Sequence, residues 1–315
     1  AGASITFDSL AIVADGIGLN ANSAGTLNII GTSNSIAATG GAAVDIGSTS
    51  LGSGATFATV SSTNSTGKGV NLDTVTGSFT ANAGAISGAA TGCLDVNGGS
   101  SNITYAGTIS CTASRVVEVT GRTGGTVTVS GNLTANGPAT GINVASNAGG
   151  TVNFSGATKS LSTTTGTAVT LATNTGATIN FTGGGLAIST TSGGGFNATG
   201  GAAAITVQGS GNTIAATTGT ALNVANTTIG ASGLTFQSIA ANGAANGIAL
   251  NTTGSGGLTV TGTGTTDGSG GTIQNTSGRG AAFISASNIS LSNMNFTNAG
   301  TSDLDADNSG LSTGD

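Results

Sequence analysis

The sequence predicts an all-β fold, a single-stranded parallel β-helix (a β-solenoid) of about eleven coils with three short strands per coil. Three observations carry this expectation. Val, Ile, Leu and Phe recur in pairs two residues apart, the period of a half-buried strand rather than of a helix. The pairs are bounded by G-G, N-G, S-G and T-G, which turn the chain at little steric cost. The whole figure then repeats, which is the first thing to seek in a chain of this composition. The stretch 141–154, GINVASNAGGTVNF, shows one unit: strand Ile142-Asn143-Val144, a corner, then strand Val152-Asn153-Phe154.

Taking the second apolar residue of each first strand as a mark gives Leu19, Ile46, Leu72, Val96, Val119, Val144, Leu171, Val207, Val224, Leu250 and Ile284. The spacing averages 26.5 residues, with one step of 36 and one of 17 that together make two ordinary repeats. A second strand follows about ten residues later. It reads Leu27–Ile29, Phe57, Phe79, Ile103–Tyr105, Val127–Val129, Val152–Phe154, Ile179–Phe181, Ile214, Leu234–Phe236, Leu258–Val260 and Ile289–Leu291. A weaker third mark comes after it, as at Ile36, Ile86, Ile109, Leu133, Leu161 and Leu186.

Strands this short are not stable alone, and the sequence lacks the paired two-residue turns of a hairpin meander. Stacking equivalent strands in parallel satisfies each backbone group against the coils above and below. At roughly 4.8 Å per coil the rod is about 50 Å long. The polar residues between apolar pairs then face outward in columns. One runs Thr80, Thr104, Thr128, Asn153, Asn180, and another includes Asn71, Asn143 and Asn223. Such ladders hydrogen-bond from coil to coil. Many alanines and few aromatics imply a thin core.

Composition excludes several classes. Charged residues make up 5% of 315 and glycine numbers 58, far from ordinary globular usage. Disorder goes with high net charge and few β-branched residues, which this chain contradicts. A net charge of −6 without a basic run speaks against nucleic acid. No apolar run approaches the roughly 20 residues of a membrane span. Residue 1 begins in strand-like sequence without a signal peptide, so the chain reads as a mature or excised piece of something longer. Zinc needs about four ligands and there is no histidine. Cys93 and Cys111 lie within one repeat, which leaves two states open: a disulfide, or two small buried thiols.

Residues 246–298, with G-I-A-L, L-T-V-T-G, T-I-Q-N and I-S-L-S-N, resemble the right-handed parallel β-helix repeats of very large bacterial surface proteins. Adhesins, autotransporter passengers and haemagglutinin-like exoproteins share this style. The resemblance covers most of the chain and implies an extracellular or cell-surface setting. It transfers no active site. Right-handedness rests on it and on the general preference of parallel crossovers.

Charges are few enough to place one by one. Asp45, Asp95 and Glu118 fall in the outward column of the first strand, with Asp73 two residues along the same face. Lys68, Arg115 and Arg122 lie close by, so Asp45, Asp73, Asp95, Arg115, Glu118 and Arg122 form one candidate glycan-facing patch. Its bland reading is a surface whose like charges are relieved by neighbouring bases. The chain also lacks tryptophan, which sugar-cleaving sites use for stacking. The second candidate is the tail. Asp303, Asp305, Asp307 and Ser309 before Gly310 match the opening of a calcium loop. The bidentate acid of such a loop would fall at residue 316, and an acidic linker explains the same letters. The frequent N-x-S/T triplets carry no weight in so Asn- and Thr-rich a chain.

The resulting expectation is a β-helix over residues 1–300 and an acidic tail or linker over 301–315. It is a non-enzymatic extracellular rod whose ends lack a cap, and so are covered by further coils or by copies stacked end to end, with surface glycans as a second class of partner. A carbohydrate-active β-helix enzyme, lyase or hydrolase, with its site near residues 45–122 is the rival. An ice-binding face, suggested by the threonine columns, is disfavoured by the uneven spacing.

Overall fold

The structure, a computed structural model, describes residues 2–138 and 141–297. Among them there is no helix, and the strands assemble into three sheets in which each strand pairs with its equivalents one coil away. The first-strand sheet has 11 strands and the second- and third-strand sheets have 12 each, all paired in parallel. The chain is therefore a parallel β-solenoid of the coil number and strand number that the repeats predict. No helix is long and apolar enough to cross a membrane.

Inward residues form continuous columns. In the second sheet Phe79, Ile103, Val127, Val152, Ile179 and Ile205 follow one another in register, each at most 2% exposed. Volume alternates along one inward column: Phe57 and Tyr105 sit on either side of Ala81. The aromatic core is a chain of contacts, Phe154 stacked on Phe181 at 4.7 Å and Phe181 edge-on to Phe196 at 5.6 Å. Tyr105 needs a partner for its hydroxyl in such an interior. It donates a 2.9 Å hydrogen bond to the Val60 carbonyl, and burial raises its pKa.

The register corrects the marks at four places. Leu19 pairs with Val44, and the residue in line with Ile46 is Ala21. The mark in the eighth coil is Ala198, in line with Leu171 and Val224, which resolves the uneven steps of 36 and 17 into 27 and 26. Val207 belongs to the second sheet and Ile214 to the third. Ile284 gives way to Phe283, the partner of Leu250. The physical reason is size: alanine fills the inward position twice, and a search for large apolar residues steps over it.

Each first strand ends in the same bend. The residue that follows it has φ between 47° and 70° in all eleven coils: Ser23, Ser48, Thr74, Gly98, Gly121, Ser146, Thr173, Gly200, Asn226, Thr252 and Ser285. Only three are glycine, although the left-handed region costs an L-residue roughly 1–2 kcal/mol. The corner between second and third sheets is tighter still. A Cβ on Gly131 would lie 1.7 Å from the Gly107 carbonyl oxygen, so no other residue fits between those two coils.

Three polar side chains inside the rod satisfy carbonyls that these corners expose. Lys159 stands in the inward column between Leu133 and Leu186. Its ammonium donates to the carbonyls of Gly156, Thr182 (3.0 Å) and Gly184 (2.7 Å). Asn34 and Asn212 do the same work at the same corner of other coils, each bonding carbonyls of its own corner and of the next coil.

Candidate functional site

The charged patch is built by register. Asn20, Asp45, Asn71, Asp95, Glu118 and Asn143 are successive members of one outward column of the first sheet. Asp73 and Asn97 form the neighbouring column, two residues along each strand. Parallel pairing places such side chains about 4.8 Å apart. Bare carboxylates at that spacing would repel, so the way each is answered decides the chemistry of the face.

Asn71 lies between Asp45 and Asp95 and donates to Asp45 Oδ1 at 2.8 Å. Lys68, at the start of the same strand, donates to Asn71 Oδ1 at 3.1 Å and pairs with Asp95 Oδ2 at 3.0 Å. Asp95 is 6% exposed, and burial is the main cause that raises its pKa, with Lys68 opposing and Glu118 and Asp73 adding to it. Asp95 and Glu118 are the one pair of directly adjacent acids in this column, and Glu118 is answered separately. It takes an ion pair from Arg115 and a 3.0 Å hydrogen bond from Asn143. Asp73 accepts from Asn97 at 3.1 Å and from Thr74 at 2.8 Å. A cleft of about 200 Å³ opens beside Asp45, Lys68 and Asn71, with Ile17 and the Ser65–Gly67 corner as its walls.

Five of the six predicted patch residues, Asp45, Asp73, Asp95, Arg115 and Glu118, are thus brought onto one face. Arg122 is not. It is 2% exposed and turned into the corner between first and second sheets. There its guanidinium donates to the carbonyls of Gly98, Ser101 and Gly124. Burial lowers its pKa. Arg122 heads an internal polar column: its backbone N–H donates to Asn147 Oδ1, and that of Asn147 donates to Asn174 Oδ1. A basic residue in a chain this poor in charge reads as surface, and no sequence signal marks the corner as a sink for five donors.

In the structure Cys93 and Cys111 are joined as a disulfide. Both are fully buried, and the bond ties the first sheet to the third across the core of one coil. The calcium-loop residues Asp303, Asp305, Asp307 and Ser309 lie outside the described residues. No protein-family model, curated protein or solved structure matches the chain.

The arrangement can hold a polar, hydrogen-bonding ligand against Asp45 and Lys68. As it stands, each acid is engaged by a base or an amide of its own rod. Lys159 was missed by the sequence reading, and its place is inside rather than on this face.

Proposed function

We propose that the chain is a rod segment of an extracellular bacterial surface protein, working by reach, shape and adhesion rather than by catalysis. One observation carries the reading: the first coil ends in open, apolar β-edges. Strands Ser4–Asp8, Ala11–Gly16 and Leu19–Asn22 are the end members of their sheets among the described residues. Ile5 and Phe7 continue the inward columns of Leu27 and Ile29, yet they are 42% and 37% exposed while those two are 1% exposed. Unpaired edges of this kind template further strands. A further coil, from longer sequence of the same chain or from a second copy, would pair with all three at once. The disulfide is consistent with an oxidising setting. Sedimentation velocity and negative-stain microscopy of the 315-residue chain test this. Axial oligomers or filaments are expected; a monomer at high concentration, from a gene that encodes nothing further, sinks it.

A second reading is favoured by one feature, the raised pKa of Asp95 beside the ion-paired Glu118. Two carboxyls in unlike environments are what glycoside hydrolysis uses. A screen of acidic polysaccharides for unsaturated or reducing-end products decides it. Activity abolished by Asp95→Ala or Glu118→Ala would establish the enzyme and displace the rod.

A further inference from the structure

The longest excursion from the coil connects strand Leu258–Val260 to strand Thr272–Gln274. It takes residues 261–271, where the same corner takes one to five residues in every other coil. Insertions into a repeat rise on one face, often the binding face. This one is held in shape by its own contacts. Ser269 Oγ accepts from Thr263 N–H at 3.0 Å and donates to the Thr266 carbonyl at 2.6 Å. Asn293, one coil on, donates from its amide to the Gly264 carbonyl at 3.1 Å and accepts from Gly270 N–H at 2.8 Å.

Two clefts flank the loop. One, of about 400 Å³, lies against the outer face of the third sheet, with Ala215 and Ala240 on the sheet, the Asn242 and Gln274 amides beside them, and loop residues Gly268 and Gly271 opposite. The other, of about 290 Å³, lies between the start of the loop and the corner Gly209–Gly211. No residue that lines either cleft is charged; the one acid of the loop, Asp267, is exposed and lines neither.

We propose that the paired clefts bind a neutral oligosaccharide. Amides and hydroxyls supply donors and acceptors together, which suits a ligand made of hydroxyls, and alanine methyls suit the C–H face of a sugar ring. No charged side chain lines the clefts to answer an anion or a metal ion. An extended peptide docks on a sheet edge, whereas these clefts open on a sheet face. The site is complete within one chain and does not depend on axial association.

Calorimetric titration of the purified chain with cellohexaose, maltohexaose, mannohexaose and chitohexaose tests it, with hexagalacturonate as the charged control. At least one neutral oligomer is expected to bind saturably, and hexagalacturonate not to. Ala240→Leu, which fills the cleft, and Gln274→Ala, which removes an amide, should each weaken binding tenfold or more. Thr134→Leu, on the same sheet face far from the loop, should leave it unchanged. Both test positions face outward and are part-exposed, so an unchanged melting temperature certifies the fold. Failure of all four neutral oligomers, preference for hexagalacturonate, or an unchanged affinity in both variants overturns the proposal. Because single copies suffice, a chain that binds without polymerising would refute the axial reading alone.

Discussion

The Lys159 ammonium lies 2.7 Å from the Gly184 carbonyl, inside the rod, at a position where the coils on either side place Leu133 and Leu186. With no carboxylate among its partners, it is held by three backbone oxygens alone. Burial pulls its pKa down to about 8 from the ordinary 10.5.

The sign of the resulting pH dependence follows from linkage. Between pH 8 and 10.5 the unfolded chain holds a proton on this lysine that the folded chain has shed, so stability rises with pH through that window. The rise is at most about 3 kcal/mol, since one pKa unit corresponds to about 1.4 kcal/mol. Urea melts from pH 7 to 10.5 should show it in the native chain and not in Lys159→Leu. At pH 7 the same variant strands three carbonyls and should lose about 1–3 kcal/mol. A native curve parallel to that of the variant would show that the ammonium pays no desolvation cost.

The Cys93–Cys111 bond closes a loop of 18 residues' separation within one coil. Loop entropy for that length corresponds to about 3 kcal/mol. The double variant Cys93→Ser, Cys111→Ser should melt at correspondingly lower urea with the same far-ultraviolet dichroism. Equal midpoints would mean that the stacked sheets already hold this coil in place without it.

The left-handed bend offers a stabilising change. Thr173 has φ 55° and an exposed side chain, and its backbone N–H donates to the Thr199 carbonyl at 2.8 Å. Glycine there removes a conformational penalty of about 1–2 kcal/mol and adds about 0.5–1 kcal/mol of unfolded-state entropy. Thr173→Gly should therefore stabilise by about 0.5–1 kcal/mol in a urea melt. Destabilisation would mean that the threonine side chain supports its neighbours in the column more than it strains the bend.

Legibility in the sequence followed side-chain size and phase. Apolar pairs at period two gave the three sheets and the coil number, because each inward column is a physical stack of the residues that mark it. The same phase rule placed Asp45, Asp95 and Glu118 on one outer column. What failed was anything that contradicts phase by chemistry. Ala21 and Ala198 are inward but small, Lys159 is inward but charged, and Arg122 sits past a strand end where alternation has stopped. The eleven left-handed bends were equally hidden, since serine and threonine announce turns only weakly.

The last prediction concerns the open end. Ile5 and Phe7 are in register with Leu27 and Ile29 and differ from them in having no coil above among the described residues. If a second copy supplies that coil, both side chains become core. Burying one such side chain contributes about 1.5–3 kcal/mol, so the pair contributes 3 kcal/mol or more to association. Lysine at both positions would also set two charges in the path of an incoming apolar column, the device that natural edge strands use against pairing. The rest of the rod starts one coil later and keeps its own register, so Ile5→Lys, Phe7→Lys should stay folded by circular dichroism. Its association constant should fall at least a hundredfold, the equivalent of about 3 kcal/mol. In sedimentation velocity the native chain then shows a concentration-dependent axial series, and the variant a single slow boundary. Two identical boundaries would mean that the first coil takes no part in assembly.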